Sequence, residues 1–262
     1  MIFDFHTHCF PDRIAARAVG KVAFECGGMI PATDGTFEGL KNAMKEGGVH
    51  AFAPLSIATS PAQMTNVNNY SASLIAENVY PFGSIHPDGE NALEELERIK
   101  ELGLYGVKLH PEYQGFFVDD EKMKPIYKKI SELGLPLILH SGKNPGFSAP
   151  CHCTPERLAK ALKWLDTPVI AAHWGALQLE DEVLTYLCSL PVYFDTSQGS
   201  GIISRNTALK IIEKHGCDKL LFASDTPWGT PEKELRLLNT LGLSDSERAD
   251  ILWNNAMTVL GK

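Results

Sequence analysis

Short runs of β-branched and aromatic residues alternate along the chain with longer stretches whose apolar positions recur at helical spacing. Eight short runs stand out: Ile2–His6, His50–Ser56, Tyr80–His86, Tyr105–His110, Leu135–His140, Pro168–His173, Pro191–Thr196 and Lys219–Asp225. Runs of this length and composition, bounded by turn residues, predict strands. The stretches between them carry helix start signals, because the free N–H groups of a first turn need an acceptor and Pro fits there. Thr36 precedes FEGLKNAMKEGG, Ser60-Pro61 opens the next, and Asp88 to Glu90 precede NALEELERIKELG. Asp119-Asp120, Thr154-Pro155-Glu156 and Thr230-Pro231-Glu232 open three more, and Gly47-Gly48, Gly103, Gly134 and Gly242 stand where helices stop.

Strands alternating with helices argue for repeated βαβ units around a parallel sheet. Eight units in 262 residues match the size of a single α/β domain, a (β/α)8 TIM barrel over 1–262. An open doubly wound sheet competes, but it uses fewer strands. Its dinucleotide-binding form also needs a glycine-rich loop after the first strand, which is absent here. Two segments exceed the bare barrel: 9–35, with a helix over Arg13–Ala23, and 141–153. Both follow strand C-terminal ends, so both are expected over the barrel mouth, with 9–35 covering the substrate.

The chemistry lies in where the histidines fall. Of nine, His6 and His8 end the first run, and His86, His110, His140 and His173 each end a later one; Asp225 ends the last. In a strand, residues i and i+2 share a face, so Asp4, His6 and His8 point one way, as do Lys108 and His110. Neutral imidazole and carboxylate are ligands that borderline divalent metals such as zinc accept. An HxH pair alone is a weak signal, and two surface histidines would explain it. Joined to later strand-end His, His and Asp, it predicts a metal site. Cys151-His152-Cys153 lacks the spacing and second pair of a structural zinc site.

The set FDFHTH (3–8), GVKLHP (106–111), LILHSG (137–142), AAHWG (171–175) and SDTPWG (224–229) resembles the amidohydrolase superfamily. Within it, the chain is most similar to the amidohydrolase-related branch that contains aminocarboxymuconate-semialdehyde decarboxylase, and ILWNNAMTVLGK (251–262) resembles that branch's final helix. The resemblance implies a distorted barrel with a divalent metal, zinc by expectation, at its C-terminal face. It implies that His6, His8, His140 and Asp225 hold one ion, with Asp225 and His173 catalytic. Lys108 has two readings. A similar lysine in dihydroorotases is carbamylated and bridges two metals, which would make His173 a ligand of the second; otherwise Lys108 stays a cation that binds a substrate carboxylate or phosphate. His110, Trp174 and Trp228 are candidates for substrate contact, and Asp4 for support of the site from below.

The implied activity is hydrolysis of a small amide, ester or lactone by metal-activated water, with Asp225 as the proton carrier. Non-oxidative decarboxylation of a small unsaturated or aromatic acid is the alternative, and a catalytically silent barrel acting as a binding subunit is a third. A histidinol-phosphatase-type phosphoesterase also starts on HxH but orders its later ligands differently. Composition narrows the partners. A net charge of −8 with no basic run argues against nucleic acid, and so against a deoxyribonuclease-type barrel. No apolar stretch is long enough to span a membrane, and no secretory signal is visible, so a cytoplasmic protein with six reduced cysteines is expected. A homo-oligomer paired through outer helices is left open.

Overall fold

A computed structural model describes residues 1–262. Seven strands form: β1 (Phe3–Thr7), β2 (Ala51–Pro54), β3 (Val107–Leu109), β4 (Leu137–Leu139), β5 (Val169–Ala171), β6 (Tyr193–Asp195) and β7 (Leu220–Leu221). β1 pairs with β2, and β3 to β7 pair in sequence order; every pairing is parallel. The run at Tyr80–His86 is extended but is not a strand. Pro81 has no N–H to give, and the segment divides its few bonds between two neighbours. Tyr80 N and Phe82 N donate to the carbonyls of Phe52 and Pro54 at 2.9 Å, and Lys108 N donates to Gly83 O at 2.8 Å. On the other side, Phe5 N donates to Phe222 O at 2.9 Å and Asp225 N to His6 O at 2.7 Å. These bonds complete a TIM-barrel ring of eight positions, with seven strands and one extended segment.

Helices separate the ring positions, the longest being Asp12–Glu25, Phe37–Glu46, Met64–Ser73, Ala92–Glu101, Lys124–Glu132, Arg205–His215 and Pro231–Asn239. The Thr36, Thr154 and Thr230 hydroxyls accept from the N–H three residues on, as their sequence positions predict. The central strands are buried on both faces, which is why they read as unbroken apolar runs. Val107, Leu109, Leu137 and Leu139 join a core of 39 buried residues. Lys108, between two of these, therefore faces the opposite way. All six cysteines are unpaired, and no helix is long and apolar enough to cross a membrane.

His215, at the end of Arg205–His215, stacks on Phe194 with ring centroids 3.9 Å apart and gives Nε2–H to Val192 O at 2.9 Å. Burial lowers its pKa from 6.5 to about 4, so the folded state favours the neutral ring. Its contribution is complete above pH 6.5 and is lost as the pH falls toward 4. By pH 4 the wild type should lose about 3 kcal/mol that His215→Leu does not lose. Urea unfolding of both proteins from pH 7 to 4 measures the narrowing gap; a constant gap contradicts it.

Candidate metal centre

β1 delivers Asp4, His6 and His8 to one face, and the two imidazoles meet with Nε2 atoms 3.1 Å apart. Asp225 follows β7, and its Oδ1 lies 3.5 Å from His6 Nε2 and 3.2 Å from His8 Nε2. The far ring nitrogens are both held by acceptors: His6 Nδ1 by Asp195 Oδ2 at 2.8 Å and His8 Nδ1 by Leu55 O at 2.7 Å. A carbonyl and an ionised carboxylate can only accept, so each Nδ1 carries its hydrogen and each Nε2 presents a lone pair. Two lone pairs and a carboxylate oxygen thus crowd one point, a donor set suited to a divalent cation. Outer hydrogen bonds that fix the ring of a metal-binding histidine have this form.

His140 and His173 stand beside this group. His140 Nδ1 is 3.0 Å from His173 Nε2, and His140 stacks on His110 at 4.1 Å. His140 Nε2 is buried without any hydrogen-bond partner. An imidazole nitrogen removed from water and left bare is costly, and an ion beside it removes that cost. The sequence-derived ligands are therefore not one knot. His6, His8 and Asp225 converge directly, His6 also converges with His173 and Asp195, and His140 adjoins through His173.

Asp195 organises the centre. Besides His6, it accepts from the backbone N–H of His173 at 2.9 Å and of Ser197 at 3.1 Å, and from the Ser197 hydroxyl. Ser197 Oγ also meets His173 Nδ1 at 2.8 Å. Gln198 gives its amide N–H to Asp225 Oδ2 at 3.1 Å. Burial alone would raise the pKa of Asp195 and Asp225, but facing histidines hold both below the ordinary carboxylate range. Burial, and then Lys108, lowers His6 to about 4, so it is neutral at physiological pH, as a ligand must be. Asp4 lies beneath, accepting from His6 N and Ser224 N, and burial raises it to about 7. His173, Gln198 and Asp225 all have φ between 56 and 63°. For residues other than glycine this backbone is strained, and such strain collects at functional sites.

Other candidates are placed differently. Trp174 is buried in the main core and donates its indole N–H to Thr196 O at 3.0 Å, whereas Trp228 is half-buried behind Asp225. His86 accepts from Asp88 N at 3.2 Å, and His152 is engaged by the Pro111 carbonyl. The segments 9–35 and 141–153 touch each other. Cys26 Sγ lies 3.9 Å from Asn144 Oδ1, and Asn144 Nδ2 reaches His110 Nε2 at 3.3 Å. Gly142 anchors the second segment at φ 87°, where a Cβ would fall 2.1 Å from Leu177 N. Ser197, Gln198 and Asn144 carry no signal in the sequence, because each acts through a contact with a distant loop.

A family profile for amidohydrolases (Amidohydro_2) matches residues 3–262. The chain belongs to this amidohydrolase family. A comparison with curated proteins returns no match. Among solved structures, an uncharacterized TIM-barrel protein from Bordetella bronchiseptica is 18% identical with a TM-score of 0.77, over 99% of this chain and 98% of that one. The 5-carboxyvanillate decarboxylase of Sphingomonas paucimobilis is 15% identical with a TM-score of 0.73, over 99% and 98%. A dihydroxybenzoic acid decarboxylase from a Polaromonas species, with bound manganese and the inhibitor 2-nitroresorcinol, is 16% identical with a TM-score of 0.72, over 99% and 96%. At such identities the likeness concerns the fold.

Proposed function

We propose that this amidohydrolase-family protein is a metal-dependent enzyme that removes CO2, without redox, from a small unsaturated or aromatic carboxylic acid. The observation that carries the metal is the pair of unprotonated Nε2 nitrogens facing Asp225 Oδ1. His6, His8 and Asp225 would hold one divalent ion, zinc or manganese, with the bare Nε2 of His140 as the fourth donor. Decarboxylation is placed ahead of hydrolysis of an amide, ester or lactone because decarboxylases stand among proteins of this fold. The buried Lys108 ammonium also suits an acid better than a neutral ester.

When bound, a divalent ion polarises the oxygens it meets and makes water a stronger acid. The chain's own groups do the rest. Decarboxylation breaks the bond to the carboxylate carbon, leaves the electron pair on the substrate carbon and needs one proton there. Asp225, ionised and held at Oδ2 by Gln198, takes that proton from water and hands it on, and the hydroxide left behind carries away the charge that the carboxylate loses as CO2 departs. His173, fixed at Nδ1 by Ser197 and met at Nε2 by His140, lines the opposite side and orients His140. His6, Lys108, His173 and Asp195 are each 5% exposed or less, so stray water is kept from the reacting carbon.

The test is a panel of small aromatic and unsaturated acids given to the metal-loaded protein, with CO2 measured against substrate consumed. One CO2 per substrate is expected, lost on chelation and restored by zinc or manganese. A new acid group without CO2 would assign hydrolysis, and a chain that retains no metal would remove the mechanism.

A further inference from the structure

The Lys108 side chain is 1% exposed, and its Nζ has a single polar contact, His6 Nε2 at 3.2 Å. No carboxylate oxygen lies within the 4.0 Å of an ion pair. That contact conflicts with the metal site. His6 Nε2 offers one lone pair, because its Nδ1–H is committed to Asp195. The pair cannot serve an ammonium hydrogen and a metal ion together. Once His6 holds an ion, Lys108 is a buried amine with no acceptor in the protein, and its ammonium form persists only if an anion joins it.

Charge balance points the same way. An ammonium and a divalent ion bring three positive charges to the carboxylates of Asp195 and Asp225, with the buried Asp4 carboxyl beneath them. Other cations of the mouth segments cannot stand in for Lys108, because Arg13, Arg17 and Lys143 are exposed. The loaded centre would accommodate a further anion, and Lys108 marks where it goes.

We propose that Lys108 remains a free ammonium and anchors one anionic oxygen group, a carboxylate, of the substrate beside a single metal ion. This rests on the metal reading above and adds to it the binding residue and the requirement for an anion. It stands against the alternative in which Lys108 is carbamylated, where a carbamate would itself supply the negative charge and recruit a second ion.

The test compares wild type, Lys108→Met and Lys108→Arg, each loaded with zinc. Metal content is read by elemental analysis, and affinity for benzoate, fumarate and inorganic phosphate by calorimetry. Wild type should hold one ion and bind the carboxylates. Lys108→Met should keep its ion and lose at least about tenfold in carboxylate affinity, the scale of one charge-assisted hydrogen bond, and Lys108→Arg should recover most of it. Equal carboxylate affinity in Lys108→Met overturns the anchor, and so does wild type that binds none. Phosphate bound in preference to both carboxylates overturns the assignment of the anion. Two ions per wild-type chain, with the mass of a carbamate on Lys108, overturn the free ammonium. A wild-type chain without metal that still binds carboxylates through Lys108 overturns the metal reading and leaves the anchor standing.

Discussion

Asp225→Asn should lose at least about a hundredfold in metal affinity and at least about a thousandfold in turnover, while the protein stays folded. Asn keeps the shape and tolerates the φ of 59° at this position better than most residues, so the fold is little disturbed. What changes is charge and polarity at two places together. Oδ1 faces the Nε2 lone pairs of His6 and His8, and Oδ2 accepts from Gln198. An amide has one oxygen to fill both positions. If the oxygen turns to Gln198, the NH2 group sits among the ligands and donates where a metal ion would go. If it turns to the histidines, NH2 meets the NH2 of Gln198, and the ligand is neutral. Either way the negative charge is gone, and with it the group that carries the proton. The turnover loss corresponds to about 4 kcal/mol of transition-state stabilisation. Elemental analysis after gel filtration reads the first effect and CO2 release the second; unchanged metal and rate would remove Asp225 from the site.

The parts of this centre legible in the sequence share a physical cause. Parallel strands covered by helices must be apolar, so a polar residue closing such a run stands out, and the period of two says which neighbours share its face. His6, His8, Lys108, His140, His173 and Asp225 were visible for that reason, and so was the ring that carries them. The third run misled because its apolar pattern is genuine, while Pro81 and a divided set of bonds prevent a ladder. The helix Arg205–His215 gives a faint signal, with neither Pro nor an acid in its first turn and only the Ser204 hydroxyl to cap it. Least visible were the supporting contacts. Asp195 and His6 are 189 positions apart, and Gln198 and Asp225 are 27 apart. Their pairing exists only once the ring has closed, so local pattern cannot supply it. Nor could the pattern foresee that Trp174 turns into the core while His140 keeps a bare nitrogen at the mouth.

Asp195→Asn should separate the support of the site from the site itself, costing both metal affinity and stability, where Asp225→Asn costs mainly the former. The Asp195 carboxylate is fully buried and uses both oxygens: Oδ2 for His6 Nδ1–H, Oδ1 for two backbone N–H groups and the Ser197 hydroxyl. Asn will keep its oxygen on the side with three donors, because losing them strands two buried backbone groups. Its NH2 then points at His6 Nδ1. Two donors cannot face each other, so His6 must move its hydrogen to Nε2, the atom that presents a lone pair to the ion. Metal affinity should therefore fall by about ten- to a hundredfold, as for other lost partners of metal-binding histidines. Removing a buried, multiply bonded charge should also cost about 2–4 kcal/mol of stability in urea unfolding of the metal-free protein. Asp195→Ala should lose more stability, since no oxygen remains for the backbone donors of His173 and Ser197. If Asp195→Asn instead binds metal as the wild type does, then the His6 tautomer is not set by Asp195, and the unprotonated Nε2 on which the donor set depends must be secured another way.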